Sequence, residues 1–328
     1  MSAAADRGVA NQEAERQPRI AVAGSSNMDL VVTAPVLPRP GETVLGDRFT
    51  QLPGGKGANQ AIAASRAGGR TTFLGAIGSD AFGVTLKARL SSSTVDTSLL
   101  RVVYGASGVA LIVVEETGQN AIVVAPGANA AFAGLTEPEL AAVAAADVLL
   151  CQLEIPMETV TAACVAGRAA GTRVVLNAAP ARALPDELLA AVDLLVVNEV
   201  EAATLAPVTS VGVDAGDEPE PVEVLDALLE SVPRVVLTQG GAGAWYADRD
   251  GAMEQVPAPR VDVVDTTAAG DAFCGALAVA WGEGRHMVDA IRWASAAGAA
   301  AVRRLGASNA LPKRKVIEEL YEETYGRR

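Results

Sequence analysis

Short apolar runs alternate with alanine-rich stretches from Arg19 onward, and this rhythm restricts the possible folds more than any other feature of the sequence. Runs of this length that end at Gly, Pro or a polar residue are typical of buried strands, and the alanine-rich stretches between them have helical composition. Strands that are apolar on both faces and separated by helices form a parallel sheet with helices on both faces. The sequence therefore predicts an α/β fold. The predicted strands are 20–24, 71–78, 147–153, 173–180, 193–199 and 234–240.

Two stretches, 30–50 and 104–125, interrupt this alternation. Both contain alternating or β-branched residues and lack a helical pattern, and the second contains a hairpin-like Glu-Thr-Gly-Gln-Asn turn at 116–120. β segments inserted into a parallel α/β core form either a lid over a binding site or a peripheral hairpin without a role in the site. The pattern alone leaves both interpretations open.

The net charge of the chain limits the classes of partner that we expect it to bind. With 26 Lys and Arg against 39 Asp and Glu, the 328 residues carry a net charge of −13. Binding to nucleic acid or to an anionic membrane needs a basic surface, so neither is expected. A phosphorylated ligand is not excluded, because a few local donors suffice to hold a phosphate. The single histidine, His286, excludes mechanisms that require a pair of histidines.

The N-terminal residues and the cysteines bear on the location of the protein. Residues 1–18 are polar and lack the apolar core of a signal peptide, so we expect a disordered tail. The acidic run 213–221 is predicted to be a surface loop before a helix. No apolar run reaches the ~20 residues that span a bilayer. Cys151, Cys164 and Cys274 are widely spaced in apolar surroundings, which predicts buried, reduced thiols in a cytoplasmic protein.

Residues 261–281, VDVVDTTAAGDAFCGALAVAW, carry the strongest chemical signal. The segment begins with β-branched residues that predict a strand, and its apolar residues from Ala269 onward recur at the spacing of a helical stripe. The joint between them consists of small residues whose backbone amides can converge on a phosphate at the helix N-terminus. Asp271 falls in the first helical turn and off the apolar stripe. A carboxylate beside an anion site is suited to take a proton from an alcohol, although acidic residues are also common in first turns without such a role.

A glycine-rich segment, 53–61 (PGGKGANQA), precedes another predicted helix. It is not a Walker A loop, because Lys56 is followed by Gly57 and not by Ser or Thr, and it does not match the dinucleotide fingerprint GxGxxG. A flexible glycine pair, the cation of Lys56 and the amide of Asn59 suit hydrogen bonding to a polyol. A plain glycine-rich turn that caps a helix is an equal alternative.

Polar residues follow several of the predicted strands. Asn27 and Asp29 come after the first strand, at the carboxyl edge where open α/β sheets bind ligands. Glu154 and the segment 238–243 (TQGGAG) follow later strands. The Asn and Glu of 198–201 (NEVE) lie three residues apart at a helix start, where they suit a hydrated Mg²⁺ with phosphates, but the same spacing is a helix-capping pattern.

Taken together, these motifs resemble the phosphofructokinase-B (PfkB) family of sugar kinases, and within it the ribokinase branch. DTTAAGDAF resembles the second family signature, DTxGAGD, with Ala268 where Gly is common, and PGGKGANQA resembles the first. GSSNMD, PGETVLG, QLEIP, NAAPAR, NEVE and TQGGAG follow in ribokinase order. The resemblance covers roughly residues 19–312 and implies a ribokinase-like α/β fold. In that fold a central, mainly parallel sheet is flanked by helices on both faces, 30–50 and 104–125 form a small β-sheet lid, and 313–328 form a C-terminal helix and tail.

The resemblance also implies a role for each motif. Asp271 would be the base that takes the proton of the sugar's 5-hydroxyl, and Glu201 would lie in the Mg²⁺ shell. The anion hole for the transferred phosphoryl group would consist of the amides of Ala268, Ala269, Gly270 and Asp271. The implied ribose ligands are Asn27, Asp29, Gly55, Lys56, Gly57, Ala58, Asn59, Glu154 and Asp271. The implied ATP ligands are Asn198, Thr238, Gln239, Gly240, Gly241, Ala242, Gly243, Gly270, Asp271 and Ser295.

A monovalent cation, K⁺, is the remaining implied ligand. Its implied site consists of Asp265 and Thr267 with backbone carbonyls near Ala301, Arg304 and Gly306. Ribokinases often have a Ser where this chain has Ala310, and a His or Asn where it has Ser295, so the K⁺ site loses one side-chain ligand and the adenine contact is smaller. An ion pair between Asp265 and a neighbouring Lys or Arg is the alternative explanation.

The implied reaction is the ATP-dependent phosphorylation of D-ribose at its 5-hydroxyl, giving D-ribose 5-phosphate and ADP, by a homodimer that is joined through the lids. GGKGAN together with NMD favours ribose over adenosine, fructose or ketodeoxygluconate. Two alternatives stay open: a kinase of the same family for another sugar or nucleoside, and a non-catalytic sugar- or nucleotide-sensing protein on the same fold. The presence of Asp271 and of the complete AAGD turn weighs against the second.

Overall fold

A computed structural model of the protein describes residues 17–206 and 220–326. Its strands are β1 (Arg19–Ala23), β2 (Asn27–Ala34), β3 (Arg48–Gly54), β4 (Arg70–Gly78), β5 (Leu100–Val103), β6 (Gly108–Glu115), β7 (Asn120–Ala125), β8 (Val148–Cys151), β9 (Arg173–Asn177), β10 (Leu194–Asn198), β11 (Arg234–Thr238), β12 (Ala244–Asp248) and β13 (Met253–Val256). Its α-helices are α1 (Lys56–Ala67), α2 (Ala81–Ser92), α3 (Glu137–Ala145), α4 (Met157–Ala170), α5 (Asp186–Ala191), α6 (Glu199–Leu205), α7 (Pro221–Leu229), α8 (Ala269–Gly282), α9 (Met287–Ala301), α10 (Ala307–Ala310) and α11 (Arg314–Tyr325).

The central sheet has the strand order β13-β12-β11-β10-β9-β8-β1-β4-β5. The strands from β11 to β5 are parallel, and β12 and β13 extend one edge in antiparallel fashion. Each of the six apolar runs predicted as strands contributes to this sheet, so the predicted parallel α/β core is confirmed. Several predicted runs extend past the observed strands at the carboxyl end, because residues there turn away from the sheet and form the loops of the site.

Two apolar cores cover the two faces of this sheet. Alternate residues of one strand belong to different cores: Val22 lies in the core that contains Trp293, and Ala21 lies in the core that contains Phe132. Successive side chains of a strand point to opposite faces, so this division shows that helices bury both faces. The free cysteines Cys151, Cys164 and Cys274 are all buried, as the sequence predicted.

The segment 261–281 differs from its prediction in two ways. The predicted strand at 261–264 is wrong: the segment is irregular, and Val263 and Val264 are 63% and 60% exposed. Within the described residues it pairs with no strand; instead the amides of Val264 and Asp265 donate to the carbonyl oxygen of Val302 at 2.8 and 3.2 Å, next to the end of α9. The predicted helix is present as α8, but it is buried from Asp271 to Ala280 and not along one stripe, because other helices and the sheet enclose it.

The two inserted β stretches form a second sheet with the order β3-β2-β6-β7. β2 and β6 are parallel, and the other two pairs are antiparallel. This sheet begins at Asn27, three residues before the predicted start, and Asn27 is the register partner of Gly54 at the end of β3. The outermost strand, β7, is exposed along its whole length, including Ile122 and Val123.

Some sequence predictions fall outside the described residues. These are most of the predicted disordered tail at 1–18 and most of the acidic loop at 213–221, after which α7 begins at Pro221. Within 17–206 and 220–326, none of the helices combines the length and the apolar character needed to cross a membrane.

Candidate active site

Asp271 lies buried at the start of α8, where two amide side chains of α1 hold its carboxylate. Asn59 Nδ2 donates to Oδ2 at 2.9 Å, and Gln60 Nε2 donates to Oδ1 at 3.0 Å. Burial raises the pKa of Asp271, whereas Lys56 and the two amide donors lower it, and the net shift is upward. A buried carboxylate that keeps its donors is a proton acceptor whose affinity for a proton is increased.

The ammonium group of Lys56 lies among several carboxylates. Burial lowers the pKa of Lys56, but the charges of Asp271, Glu154 and Glu201 together outweigh burial and raise it. Lys56 is therefore protonated at neutral pH. Its positive charge acts on Asp271, Glu154 and Glu201.

Asp29, on β2, has a carboxyl group that titrates near neutrality. Burial is the largest cause, followed by the charges of Glu154 and Asp271, and together they raise its pKa from 3.8 to about 7. The neighbouring Glu154 accepts two hydrogen bonds: Ser25 Oγ and the backbone N–H of Lys56 donate to its Oε2, at 2.5 and 3.0 Å. The carboxyl group of Asp29 accepts no hydrogen bond from the described part of the chain, so both of its oxygens are available to a ligand.

Glycines let α1 begin directly against the end of β1. Gly55 has a φ of 90°, and a Cβ at this position would lie 2.7 Å from the backbone nitrogen of Asn27. A Cβ on Gly57 would lie 2.7 Å from the Cα of Gly24. Any larger residue at either position would push the helix away from the strand. Because these residues are glycines, Lys56 lies at the carboxyl edge of the sheet.

Asn27 is oriented by a residue that the sequence reasoning missed. Asn129 Nδ2 donates to Asn27 Oδ1 at 2.7 Å, while Asn129 Oδ1 accepts from the backbone N–H of Ser26 at 2.9 Å. Since the oxygen of the Asn27 amide is occupied by this bond, its Nδ2 group is available to donate to a ligand. The geometry makes Asn27 a donor and Asp29 an acceptor on neighbouring positions of β2.

A cavity of about 420 Å³ opens beside the N-terminus of α8. Its wall combines small residues of the loop after β11, of the segment before α8 and of α9. Phe273 and Val302 contribute apolar surface, which suits a flat aromatic group. The residues that line it are Thr238, Gly240, Gly241, Gly243, Ala258, Pro259, Arg260, Val261, Val263, Thr266, Ala269, Gly270, Phe273, Ser295, Gly298, Ala299 and Val302.

The turn before α8 directs backbone amides toward this cavity. Ala268 adopts the left-handed conformation, with φ 61° and ψ 13°, and this conformation starts the helix at Ala269. The N–H of Ala269 already donates to the carbonyl of Thr266 at 3.2 Å. The N–H groups of Gly270 and Asp271 have no acceptor among the described residues. Together with the helix dipole they form an end that attracts an anion.

Asn198 and Glu201 form a capping box at the start of α6. Asn198 Oδ1 accepts from the N–H of Glu201 at 2.8 Å, and Glu201 Oε2 accepts from the N–H of Asn198 at 2.9 Å. Burial raises the pKa of Glu201. Its second oxygen has no partner within 17–206 and 220–326. One free carboxylate oxygen fits a Mg²⁺ ion that keeps most of its waters, although no cluster of three or more acidic, His or Cys ligands occurs in the described ranges.

Asp265 closes a turn between the end of α9 and the start of α8. Its Oδ1 accepts from the N–H of Thr267 at 2.9 Å, and its Oδ2 accepts from the N–H of Gly306 at 2.8 Å. Burial alone would raise its pKa, but these hydrogen bonds lower it below the usual value. No Lys or Arg of the described chain forms an ion pair with Asp265, so the ion-pair alternative does not explain this turn.

The comparison with known proteins agrees with this geometry. A model described as "pfkB family carbohydrate kinase" matches residues 17–314. The chain belongs to the pfkB family of carbohydrate kinases. It is 36% identical over 305 residues to a ribokinase of Haemophilus influenzae and 38% identical over 304 residues to one of Bacillus subtilis, and each alignment covers 92% of this chain and 98% of the relative.

A solved pfkB-type structure is similar over almost the whole chain. The structure of Arabidopsis thaliana ribokinase complexed with ribose and ATP has a TM-score of 0.86 and 30% identity, and the similarity covers 94% of this chain and 99% of that one. The resemblance indicated by the sequence motifs and the ribokinase-like fold are therefore confirmed.

The pfkB motifs converge on two adjoining regions. Seven of the residues predicted to bind nucleotide or phosphoryl group line the cavity: Thr238, Gly240, Gly241, Gly243, Ala269, Gly270 and Ser295. Gln239 and Ala242 belong to the same loop but not to the cavity wall. Asn198 is the register partner of Thr238 on the neighbouring strand, which places the capping box beside the cavity. Ala310 is buried in the short helix α10.

Several residues of the pfkB site were missed by sequence reasoning. Gln60, Gln152 and Asn177 lie inside quoted motifs, yet no role was predicted for them. All three are buried; Gln60 donates to Asp271, and Gln152 and Asn177 form hydrogen bonds with Gln60 and not with Asp271. The only sequence signal for their burial was that each is an amide side chain within apolar surroundings. Arg260 and Gly298 on the cavity wall carry no motif, so the sequence offered no signal for them.

The raised pKa of Asp29 predicts how the stability of the protein depends on pH. The folded protein binds this proton more tightly than the unfolded chain, with a pKa of about 7 against 3.8. Stability is therefore highest where both states are protonated. It decreases as the pH rises from about 3.8 to about 7, and the loss is complete above pH 7. We expect the Asp29→Asn variant, which carries no charge, to melt about 2–4 °C above the parent near pH 8.5, with a smaller difference near pH 5.5.

Thermal melting at both pH values measures this effect. Asp47→Asn is the matched control, because Asp47 is exposed. A constant difference between the Asp29→Asn variant and the parent at both pH values would show that Asp29 does not take up a proton in this range.

Proposed function

We propose that the protein transfers the γ-phosphoryl group of ATP to the 5-hydroxyl of D-ribose. The observation that carries this proposal is the position of Asp271: buried, held by amide donors, and at the meeting point of the first turn of α1 and the phosphate-attracting end of α8. The ribokinases of Haemophilus influenzae and Bacillus subtilis, related along nearly their full length, support ribose as the sugar.

The residues of the chain contribute positioning, charge and proton transfer. Asp271 accepts the proton of the 5-hydroxyl as that oxygen attacks the phosphorus atom. The free amides of Gly270 and Asp271 and the dipole of α8 stabilise the charge that develops on the transferred group. Asn27 donates to and Asp29 accepts from hydroxyls of the sugar, and Lys56 offsets the negative charge of the cluster.

ATP occupies the cavity of about 420 Å³ in this proposal. The apolar surface of Phe273 and Val302 receives the base, and Ser295 offers a small polar contact. The loop after β11 binds the phosphates through its backbone. Glu201 would hold a hydrated Mg²⁺ through its free oxygen, and the ion would neutralise phosphate charge.

The kinase domain comprises residues 19–312 in this proposal, and 313–328 form a C-terminal helix and tail. We place the protein in the cytoplasm, without a nucleic-acid or membrane partner. Its net charge of −13 and its three free, buried cysteines support this location.

A release assay for ADP over a panel of sugars and nucleosides tests the proposed reaction. We expect ribose to give the highest kcat/KM among ribose, 2-deoxyribose, fructose and adenosine. A higher value for another acceptor would contradict ribose as the substrate and leave the kinase assignment in place. Binding of ribose without any turnover would favour the sensing protein instead.

The Asp271→Asn variant tests the base in the same assay. It keeps the size and polarity of the side chain but cannot accept the proton, so kcat should fall by about 10²–10⁴ with KM for ribose little changed. The Asp250→Asn variant is the control, because Asp250 lies in the exposed turn between β12 and β13. Turnover close to the parental rate would contradict the assignment of Asp271.

A monovalent cation, K⁺, is proposed to bind at Asp265. The carboxylate lacks an ion-pair partner among the described residues, and the carbonyl groups of Arg304 and Gly306 nearby suit a large, weakly hydrated ion. Asp265 and Thr267 would hold the ion, which would stabilise the shape of the turn before α8 without contacting substrate. We expect a higher kcat in K⁺ than in Na⁺ at equal ionic strength, and loss of this difference in Asp265→Asn. Equal rates in K⁺, Na⁺ and a bulky organic cation would contradict the proposal.

The small sheet is proposed to act as a lid and to join two copies of the chain. β7 presents exposed apolar side chains, among them Ile122, Val123 and Val124, which a second copy would cover. We expect the parent to sediment as a dimer and Val123→Lys to shift it toward the monomer. Val84→Lys, on the exposed side of α2, is the control. A monomeric parent would contradict this part of the proposal.

A further inference from the structure

Gln60 is a fully buried side chain of α1 whose hydrogen-bonding groups are all directed at protein partners. Its amide nitrogen donates to Asp271 Oδ1 and to Asn177 Oδ1, both at 3.0 Å. Its amide oxygen accepts from Gln152 Nε2 at 2.5 Å. The three partners come from α8, from the end of β9 and from the residues after β8. Gln60 therefore connects the base to the carboxyl edge of the sheet.

The direction of the Gln60 amide is fixed by the backbone of a neighbouring strand. Asn177 Nδ2 donates to the carbonyl oxygen of Val196 at 3.2 Å, and a carbonyl can only accept. Asn177 must therefore present its Oδ1 to Gln60. Reversing the Gln60 amide would set an oxygen against Oδ1 of both Asn177 and Asp271. The nitrogen of Gln60 consequently faces the base.

The side-chain oxygen of Gln152 lacks a hydrogen bond in this arrangement. Its Oε1 is buried and has no partner among the described residues. Reversing this amide would place Oε1 against the oxygen of Gln60, so the unpaired atom follows from the direction of the Gln60 amide. An unpaired buried acceptor costs free energy. The amides of this network are thus oriented so that Asp271 receives a donor, and one oxygen of the network stays unpaired as a result.

We propose that Gln60 is a positioning residue for the catalytic base: it fixes the plane of the Asp271 carboxylate and stabilises the anionic form by donating to Oδ1. The inference rests on the proposed function, because it assigns a partner to the base of that reaction. Gln60 differs from Asn59, which is one of the proposed sugar ligands, since both hydrogens of the Gln60 amide are already used within the protein.

The anionic form of Asp271 needs this donor because its surroundings are acidic. Burial raises the pKa of Asp271, and the Lys56 charge and the two amide donors only partly offset it. The titratable groups that face Asp271 are Lys56 on α1, Asp29 on β2, Glu154 after β8, Glu201 on α6 and Cys274 on α8. Removing the Gln60 donor leaves these groups in place and raises the pKa of Asp271 further.

The pH dependence of kcat separates this role from a purely structural one. In Gln60→Met, which keeps the length of the side chain without its donors, the acid limb of the profile should move up by about one pH unit. KM for ribose should change little. Gln152→Met is the matched control: it removes the partner of the Gln60 oxygen and leaves both donors, so the limb should move by a small fraction of this shift.

A second variant and a second measurement cover the case in which Gln60→Met folds poorly. Gln60→Glu keeps the shape of the side chain and should move the acid limb in the same direction, because two adjacent carboxyl groups must share a proton. A ¹³C titration of the carboxyl groups in the absence of substrates, with Asp271→Asn to assign the signal, should report the same upward shift without turnover.

The outcomes distinguish this inference from the proposed function. An acid limb and a carboxyl titration that stay at the parental pH in both Gln60 variants would overturn the role of Gln60. They would leave the kinase assignment standing if Asp271→Asn remains inactive. Parental turnover by Asp271→Asn would instead overturn the proposed function.

Discussion

The close contact between α1 and α8 is the interaction on which the site depends. A Cβ on Gly275 would lie 2.6 Å from the Cβ of Ala63 and 2.7 Å from the backbone nitrogen of Ala64. With glycine at this point the two helix backbones approach closely enough for Asn59 and Gln60 to reach Asp271, one turn nearer the N-terminus of α8. The chemistry therefore depends on a packing contact between small residues, and both helices begin at the same edge of the sheet.

The charge balance of the site follows from that contact. Glu154, Glu201 and Asp271 interact with one ammonium group, that of Lys56, and Asp29 adds a further carboxyl group beside Glu154 and Asp271. Such an excess of negative charge opposes the approach of a nucleotide. Within the protein, neutral hydrogen-bond donors offset this negative charge. The free amides of α8 face the cavity, whereas the side-chain amides of α1 stabilise the carboxylate behind them. Separate sets of hydrogen-bond donors are thus available to substrate anions and to the carboxylates of the protein.

The sequence predicted the parts of this structure that depend on local pattern. Buried strands are apolar and end abruptly, so the six apolar runs predicted as strands of the central sheet were all found, and the AAGD turn indicated both the start of α8 and Asp271. The strand at 261–264 was wrong because β-branched residues here line a cavity wall instead of pairing with a neighbour. The partners of Asp271 are separated from it by more than two hundred positions. Nothing in the local pattern of 53–61 distinguishes Gln60, which faces the base, from any other buried amide.

The role of Asn129 was hidden for a similar reason. It lies in a short turn after β7, and its function depends on the tertiary contact with Asn27 and Ser26. Which atom of Asn27 is free to meet a ligand cannot be derived from the sequence of β2, since it is decided by a donor from another part of the chain.

The register between β2 and β3 has a mechanical consequence. Asn27 and Gly54 are paired where the small sheet joins the core, and Lys56 follows Gly54 by two residues. A ligand held between Asn27 and Lys56 would therefore bridge the point about which the proposed lid turns. For the proposed lid, ligand binding and lid angle would then be thermodynamically linked. Whatever stabilises one angle, including the proposed contact with a second copy at β7, would change the affinity for the ligand by the same factor by which the ligand changes the population of that angle.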